Sequence, residues 1–242
     1  MLSKSKIKIV KSLKHKKNRI NSNLFIVEGV KCFNEVINSE YKIEFTIISE
    51  EAFKNYYTEK KLSNLYIVSS DEVNKLSSLH NNYSLISVVR KRKLENKSID
   101  YSKPIIALDS INDPGNLGTI IRTADWFNVK NIICSRNTVD VYNSKVIQST
   151  MGSFTRVNVF YDDLENIIDN NDIKVYGTSK DGEDIKEIRK LTSGIILFGS
   201  ESYGISDKLK RYVDRWISIK KVGGAESLNV SVSAGVILHK LT

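Results

Sequence analysis

Short apolar runs alternate with stretches of helical periodicity over the first ninety residues. Phe25-Ile26-Val27, Phe45-Thr46-Ile47-Ile48, Leu65-Tyr66-Ile67-Val68 and Ile86-Ser87-Val88-Val89 have the length and the β-branched content of buried strands. Between them, the stretches near 30–38, 52–62 and 71–79 space their apolar residues as helices do, with Asp71 placed to cap the last. This alternation predicts a small α/β unit ending near residue 90. The charged segment that follows, up to residue 103, has the polarity of a linker.

A second alternating series begins at Pro104. Strands are predicted at Ile105–Leu108, Ile132–Cys134, Val157–Phe160, Ile173–Gly177, Ile195–Phe198 and Trp216–Ile219, with helices between most of them. Strands of this kind, apolar on both faces, build an open and mostly parallel sheet whose ligands bind beyond the carboxyl ends of the strands. The loops after Leu108, Gly177, Phe198 and Ile219 are therefore the places to look for chemistry. One segment is ambiguous: Leu228, Val230 and Val232 alternate as in a strand, while Leu228, Val232 and Val236 share one helical face.

Charge sharpens the picture. The net charge of +9 is concentrated, because residues 1–20 carry Lys4, Lys6, Lys8, Lys11, Lys14, Lys16, Lys17 and Arg19 with no acid. A second cluster comprises Arg90, Lys91, Arg92, Lys93, Lys97 and Lys103, against Glu95 and Asp100. Local basic clusters suit a polyanion, since neutralising phosphates releases counterions. A solubilising lysine-rich tail is the plainer alternative for residues 1–20. Cys32 and Cys134 fit neither a disulfide framework nor the paired spacing of a zinc site. No apolar run has the length of a signal peptide core or a membrane span, so a cytoplasmic protein without membrane attachment is expected.

Several chemistries lack their signatures. There is no GxGxxG, GxxxxGK[ST], GxSxG or HExxH, and His15, His80 and His239 are scattered, so nucleotide loops, histidine triads and metal sites are not expected. The strongest local signal runs from Leu108 to Ala124, a strand followed by a Pro114-Gly115 turn and a helix with Leu117, Ile120, Ile121 and Ala124 as its buried stripe. Asn116 and Arg122 place an amide and a guanidinium near a strand's carboxyl end. A helix cap and a surface charge are the structural alternatives for the two. Two further loops leave strands, Phe198-Gly199-Ser200-Glu201 through Gly204 and Gly223-Gly224-Ala225-Glu226 into Ser227-Leu228-Asn229. Their glycines permit close backbone approach to a ligand, and Ser227 and Asn229 offer neutral hydrogen-bonding groups.

Taken in order, these three segments resemble the motifs of the SpoU (TrmH) family of RNA 2′-O-ribose methyltransferases, within the knotted SPOUT superfamily. Asn116 through Ala124 resembles the first motif, Phe198 through Gly204 the second and Ser227 through Val232 the third, while Thr150-Met151-Gly152-Ser153 through Arg156 resembles the family's Ser-Met-Gly segment. Phe25-Ile26-Val27-Glu28-Gly29 is similar to the opening of the L30e-like substrate-binding domain of many members. The resemblance implies an α/β chain with an L30e-like RNA-binding domain over residues 1–95, a basic linker over 96–103 and a SPOUT catalytic domain over 104–242. That last domain would hold a mostly parallel sheet and a C-terminal trefoil knot, with a helix from Ser227 onward.

The resemblance further implies S-adenosylmethionine as cofactor, held largely by backbone groups from loops at Thr178, Gly199, Ile219 and Leu228. Arg122 would be the central catalytic residue, Asn116, Ser227 and Asn229 would orient ribose and cofactor, and Glu201 would organise the local charge. A guanidinium is expensive to deprotonate at neutral pH, so a phosphate clamp that orients the 2′-hydroxyl is physically easier than a free base. The chain departs from the common third motif, where Pro-Met usually follows the isoleucine, in having Lys220-Lys221. Either lysine would repel a sulfonium or point outward to phosphate. The family implies a homodimer with the site near the subunit interface and an RNA partner, ribosomal in preference to transfer RNA. Competing readings are a noncatalytic RNA-binding or ribosome-assembly factor that retains the fold, a tRNA 2′-O-methyltransferase, and a methyltransferase acting on a base or a protein.

Overall fold

The computed structural model describes residues 2–56, 64–79 and 82–242. In chain order its elements are α1 Lys4–Ser12, α2 Lys16–Ser22, β1 Leu24–Glu28, α3 Val30–Ile37, β2 Ile43–Ser49, α4 Glu50–Tyr56, β3 Leu65–Val68, α5 Ser70–Leu76 and β4 Leu85–Arg90. There follow β5 Pro104–Leu108, α6 Pro114–Trp126, β6 Asn131–Ser135, α7 Ser144–Thr150, β7 Asn158–Asp162, α8 Leu164–Asp169, β8 Val175–Asp184, β9 Gly194–Phe198, α9 Asp207–Lys210, β10 Arg215–Ser218 and α10 Val230–Leu241. The chain divides into two compact units, residues 1–93 with 140–155, and residues 94–139 with 156–242.

The first unit is built on a four-stranded sheet of order β1-β4-β2-β3, antiparallel except for the β2–β3 pair. Alternation along β1 sends Ile26 to one face, where it packs with Val10, Leu13, Phe45, Val73 and Val88, and Phe25 and Val27 to the other, against Cys32, Val36, Ile147 and Phe154. Both faces are covered, which accounts for the apolar runs read from the sequence. The lysine-rich start is no tail: it forms α1 and α2, with Val10 and Leu13 fully within the core. Their helical spacing is hidden among lysines. The helix expected over 52–62 begins at Glu50, and its part beyond Tyr56 lies outside the described residues.

The segment 140–155 joins this unit through α7, which packs on β1, and through Phe154, whose ring lies 5.9 Å from Phe25 and 5.4 Å from Tyr41. A buried ion pair adds to it. Arg19 Nη2 lies 2.7 Å from Asp140 Oδ2, both side chains nearly sealed from water, and Arg19 Nη1 donates to the Leu13 and Lys14 carbonyls at 3.0 Å. Removing one partner strands the other charge, so Asp140→Ala is expected to lower stability by about 3 kcal/mol. A denaturant midpoint within the error of the parent would reject that.

The second unit carries a six-stranded, all-parallel sheet of order β10-β8-β9-β5-β6-β7. Chain order runs outward from β5 through β6 to β7, then returns to the other side of β5, so the order reverses between β5 and β9. Loops leaving the carboxyl ends of these two neighbours diverge to opposite sides and leave a crevice. Ile105, Ala107, Ile133, Phe160, Val175, Ile195 and Leu197 pack with α8 and α9 on one face. Ile99, within the stretch read as a linker, is buried in the same cluster.

The ambiguous C-terminal stretch resolves into helix, starting at Val230, three residues after the expected start at Ser227. Asn229 caps α10 by accepting from the Ser231 amide at 2.9 Å, and Ala234, Ile237, Leu238 and Leu241 are buried at helical spacing. Capping and packing of that face outweigh the strand propensity of Val230 and Val232.

Candidate active site

Pairing of β5 with β9 brings the first two motif loops together: Leu108 stands opposite Phe198, and the Asp109 amide extends the ladder to the Phe198 carbonyl at 2.9 Å. Asp113 caps α6 by accepting from the Asn116 amide at 2.8 Å, with Pro114 in the first turn where no amide donor is needed. This fixes the backbone that carries Asn116. Its side chain is 9% exposed and sits at the junction of all three loops.

Asn116 Nδ2 donates to Glu201 Oε1, and Asn116 Oδ1 accepts from Asn229 Nδ2 at 3.0 Å. Asn229 Oδ1 in turn accepts from the amide and the hydroxyl of Ser231, at 2.9 and 2.6 Å. The orientation of both amides follows from this chain, because each oxygen faces a donor and each nitrogen an acceptor. Glu201 is exposed and keeps its second oxygen for another donor. Ser227 is exposed as well and makes no hydrogen bond among the described residues.

Beside the network lies a cleft of about 1370 Å3, entirely within the second unit. Its walls include Thr178, Gly199, Ile219 and Leu228, the four positions to which the resemblance assigns the cofactor, together with Glu201, Ser227 and Asn229. Asn116 touches it through Glu201 and Asn229 and does not line it. Arg122 neither lines the cleft nor enters the network; it is exposed on α6, six residues and about 240° around the helix from Asn116.

Two backbone features shape the cleft. The pairing of β10 with β8 jumps, Trp216 facing Gly177 but Ile217 facing Glu183, so residues 178–182 bulge outward as a wall. Gly182 permits this: a Cβ there would lie 2.6 Å from the Ile217 backbone. Thr178 Oγ1 donates to the Leu197 carbonyl at 3.1 Å, tying the base of the wall to β9. The 199–206 loop is closed by paired backbone hydrogen bonds between Ser200 and Gly204, at 2.9 and 3.0 Å.

Asp109, which the sequence reading passed over, anchors that loop. It is 3% exposed, with Oδ2 accepting from the Ser206 amide at 2.8 Å and Oδ1 from the Ser110 hydroxyl at 3.1 Å. An acid at the very end of a buried strand, just before a turn, was the available signal. The cysteines, by contrast, are spectators: burial pushes the Cys32 thiol up to about 11, and burial raises that of Cys134 further, so neither is a thiolate at neutral pH.

Comparison with known proteins places the chain in a family. Residues 103–239 match the SpoU rRNA Methylase family and residues 4–86 an MRM3-like substrate binding domain. The chain belongs to the SpoU rRNA methylase family. It is 28% identical to the 23S rRNA (guanosine(2553)-2′-O)-methyltransferase RlmP of Bacillus subtilis over 240 residues, 98% of this chain and 95% of that one. It is also 28% identical to the 23S rRNA (guanosine-2′-O-)-methyltransferase RlmB of Neisseria meningitidis, over 73% of this chain and 75% of the relative. Among solved structures, the AdoMet-bound rRNA methyltransferase of Sinorhizobium meliloti superposes with a TM-score of 0.86 at 25% identity, covering 99% of this chain and 95% of that one.

The cleft suits S-adenosylmethionine. Ile219, Leu228 and Val230 line it with apolar surface that would suit a purine, and the 219–222 segment, outside any helix or strand, and the Gly199 loop would offer backbone groups. Lys220 and Lys221 both line the cleft and are exposed at its mouth.

The Asn229 side chain is both cap and network member, and the two roles separate by experiment. Asn229→Ala is expected to cost about 1 kcal/mol through the lost cap. It should also slow single-turnover methyl transfer with both ligands saturating, because Asn116 loses the donor that orients it. A normal single-turnover rate with lowered stability would assign Asn229 to capping alone.

Proposed function

We propose that this protein is an S-adenosylmethionine-dependent RNA 2′-O-ribose methyltransferase acting on ribosomal RNA in the cytoplasm. The observation that carries the reading is the hydrogen-bonded line Glu201–Asn116–Asn229, which draws three loops from distant parts of the chain to one edge of the cleft. Such a line has little structural purpose among exposed loops, and much if amide and carboxylate groups must hold a ribose in one pose.

When bound, S-adenosylmethionine supplies the electrophilic methyl group. The chain's own part is placement: the Asn116 and Asn229 amides are fixed in orientation, Glu201 offers a free carboxylate oxygen to a ribose hydroxyl, and Ser227 offers a hydroxyl that can donate or accept. Positioning of this kind raises the rate without any group of unusual acidity.

Arg122 fits this scheme in a homodimer. On α6 and α10, which pack on each other, Trp126 is 85% exposed, Val232 52% and Val236 40%. Large apolar residues grouped on a helix pair, with Arg122 one turn from Trp126, suit a second copy of the chain. Arg122 would then serve as phosphate clamp for the partner's cleft. A C-terminal trefoil crossing belongs to the same reading, supported by α10 following β10 at the sheet edge and returning to pack on α6.

The test is transfer of a labelled methyl group from S-adenosylmethionine to ribosomal RNA from cells lacking the protein, with ribose-methyl mapping of the product. One modified ribose is the expected result. A label appearing only in transfer RNA would redirect the substrate assignment, and RNA binding without any transfer would make the chain a noncatalytic factor.

A further inference from the structure

The two basic clusters of the sequence fare differently on folding. In the second, Arg90 pairs with Glu44 at 2.6 Å, Arg92 pairs with Glu40 at 3.4 Å and lies over the Tyr41 ring, and Lys91 lies 4.9 Å from the Tyr142 ring centroid. Desolvation lowers the Lys91 pKa, as expected of an ammonium drawn partly into the fold. These three cations are engaged within the unit that holds them.

The first cluster is divided by helical geometry. Lys6 lies over Phe45 and Tyr66, at 4.8 and 4.9 Å, and holds α1 against the sheet, while Lys14 donates to the Ser77 carbonyl at 2.9 Å and ties the turn after α1 to the end of α5. Lys4, Lys8 and Lys11 fall within about 60° of one another on the opposite side from Val10 and Leu13. All three are exposed and without an ion pair among the described residues.

Local physics does not favour this stripe. Lys4 and Lys6 occupy the positive end of the helix, no acid stands in its first turn, and Lys4–Lys8 and Lys8–Lys11 are like-charge neighbours four and three residues apart. A stretch selected only for solubility gains from mixed signs. A helix that keeps a one-signed stripe while burying its apolar face gains only when a polyanion covers the stripe. With Val10 and Leu13 already spent in the core, α1 has little apolar face left to enter a lipid surface. From Lys4 to Lys11 the axis advances about 10 Å, so the three ammonium groups are spaced by roughly 5 Å along the helix, on the scale of neighbouring phosphates of one strand.

We infer that Lys4, Lys8 and Lys11 of α1 form a ridge that follows consecutive phosphates of structured RNA, adding affinity for the substrate and taking no part in the reaction. The inference rests on the methyltransferase reading for its RNA, and on α1 for its site.

Full-length protein and its Lys4→Gln, Lys8→Gln, Lys11→Gln triple variant are compared in binding to protein-free ribosomal RNA across a salt series. Lys130→Gln, Lys174→Gln, Lys186→Gln serves as a charge-matched control. The slope of log affinity against log salt is expected to fall by about 2 to 3 for the α1 variant. KM for RNA should rise tenfold or more at unchanged kcat, and the triple arginine variant should keep both parameters. Cofactor titration and far-ultraviolet circular dichroism check that each protein is folded. If the α1 variant keeps the parental slope and KM while the parent transfers methyl groups, the ridge is refuted and the enzyme reading stands. Equal losses in the α1 and control variants would likewise refute it, as diffuse charge would then suffice. If the parent neither binds ribosomal RNA nor transfers to it, while an acidic protein or an anionic vesicle competes for α1, both readings fall together.

Discussion

Gly199→Ala is expected to abolish cofactor binding and to lower stability by about 3 kcal/mol. A Cβ at Gly199 would fall onto the carbonyl carbon of Gly204 and the amide nitrogen of Ile205, which are backbone atoms with no rotamer to retreat into. Relief requires separating the Ser200–Gly204 pair, and with it the loop that Asp109 holds through Ser206. Because the displaced segment is a wall of the cleft, affinity for S-adenosylmethionine should drop at least a hundredfold in calorimetric titration, alongside a lowered melting temperature. Gly235→Ala is the matched control, since it lies outside the cleft and a Cβ there meets only Thr123 Cγ2, at 4.0 Å. Comparable affinities for the Gly199→Ala variant and the parent would mean that this loop is not part of the cofactor site.

Arg122→Ala should leave stability and cofactor affinity within error of the parent and reduce methyl transfer about a thousandfold. The first expectation follows from exposure: the guanidinium is solvated and unpaired among the described residues, and such surface changes cost little. The second follows from the proposed clamp role, in which a charged donor would be lost from an anion of the reacting complex. Mixing the Arg122→Ala and Asn229→Ala proteins tests whether the arginine acts across subunits. Random pairing of two-fold dimers would leave about a quarter of the sites with both residues intact, and activity should recover to that level. No recovery despite subunit exchange would place Arg122 in its own chain's site, and near-normal turnover of Arg122→Ala alone would end its catalytic assignment.

Ten strands of alternating or continuous apolar character were legible because burial on both faces of a sheet writes itself into short runs of Val, Ile, Leu and Phe. The three motif loops were legible for a different reason, as glycines and small polar residues at strand ends have few structural uses. Three features were not. The α1 and α2 helices hid among lysines, because only Val10, Leu13 and the half-buried Ile7 mark their inner face. The grouping of residues 140–155 with the N-terminal unit depends on Asp140 meeting Arg19 and Phe154 meeting Phe25, contacts between residues more than a hundred positions apart. Asp109 looked like any acid before a turn until its carboxylate was seen to accept the Ser206 amide.

The sequence by itself determined the alternation of strands and helices, the chemistry excluded by missing signatures, and the identity of the polar groups at strand ends. Each of these is a local property, set by periodicity, backbone permissiveness and side-chain type within a few residues. The tertiary structure alone decided which of those groups meet. Asn116, Glu201 and Asn229 converge because the parallel pairing of β5 with β9 and the return of α10 onto α6 close loops of more than eighty residues. It also decided that Arg122 faces outward from the cleft, since one turn and two thirds of helix separate it from Asn116, and that part of the basic sequence is engaged within the fold, since Lys6, Arg19, Arg90, Lys91 and Arg92 are held in cation–ring or ion-pair contacts.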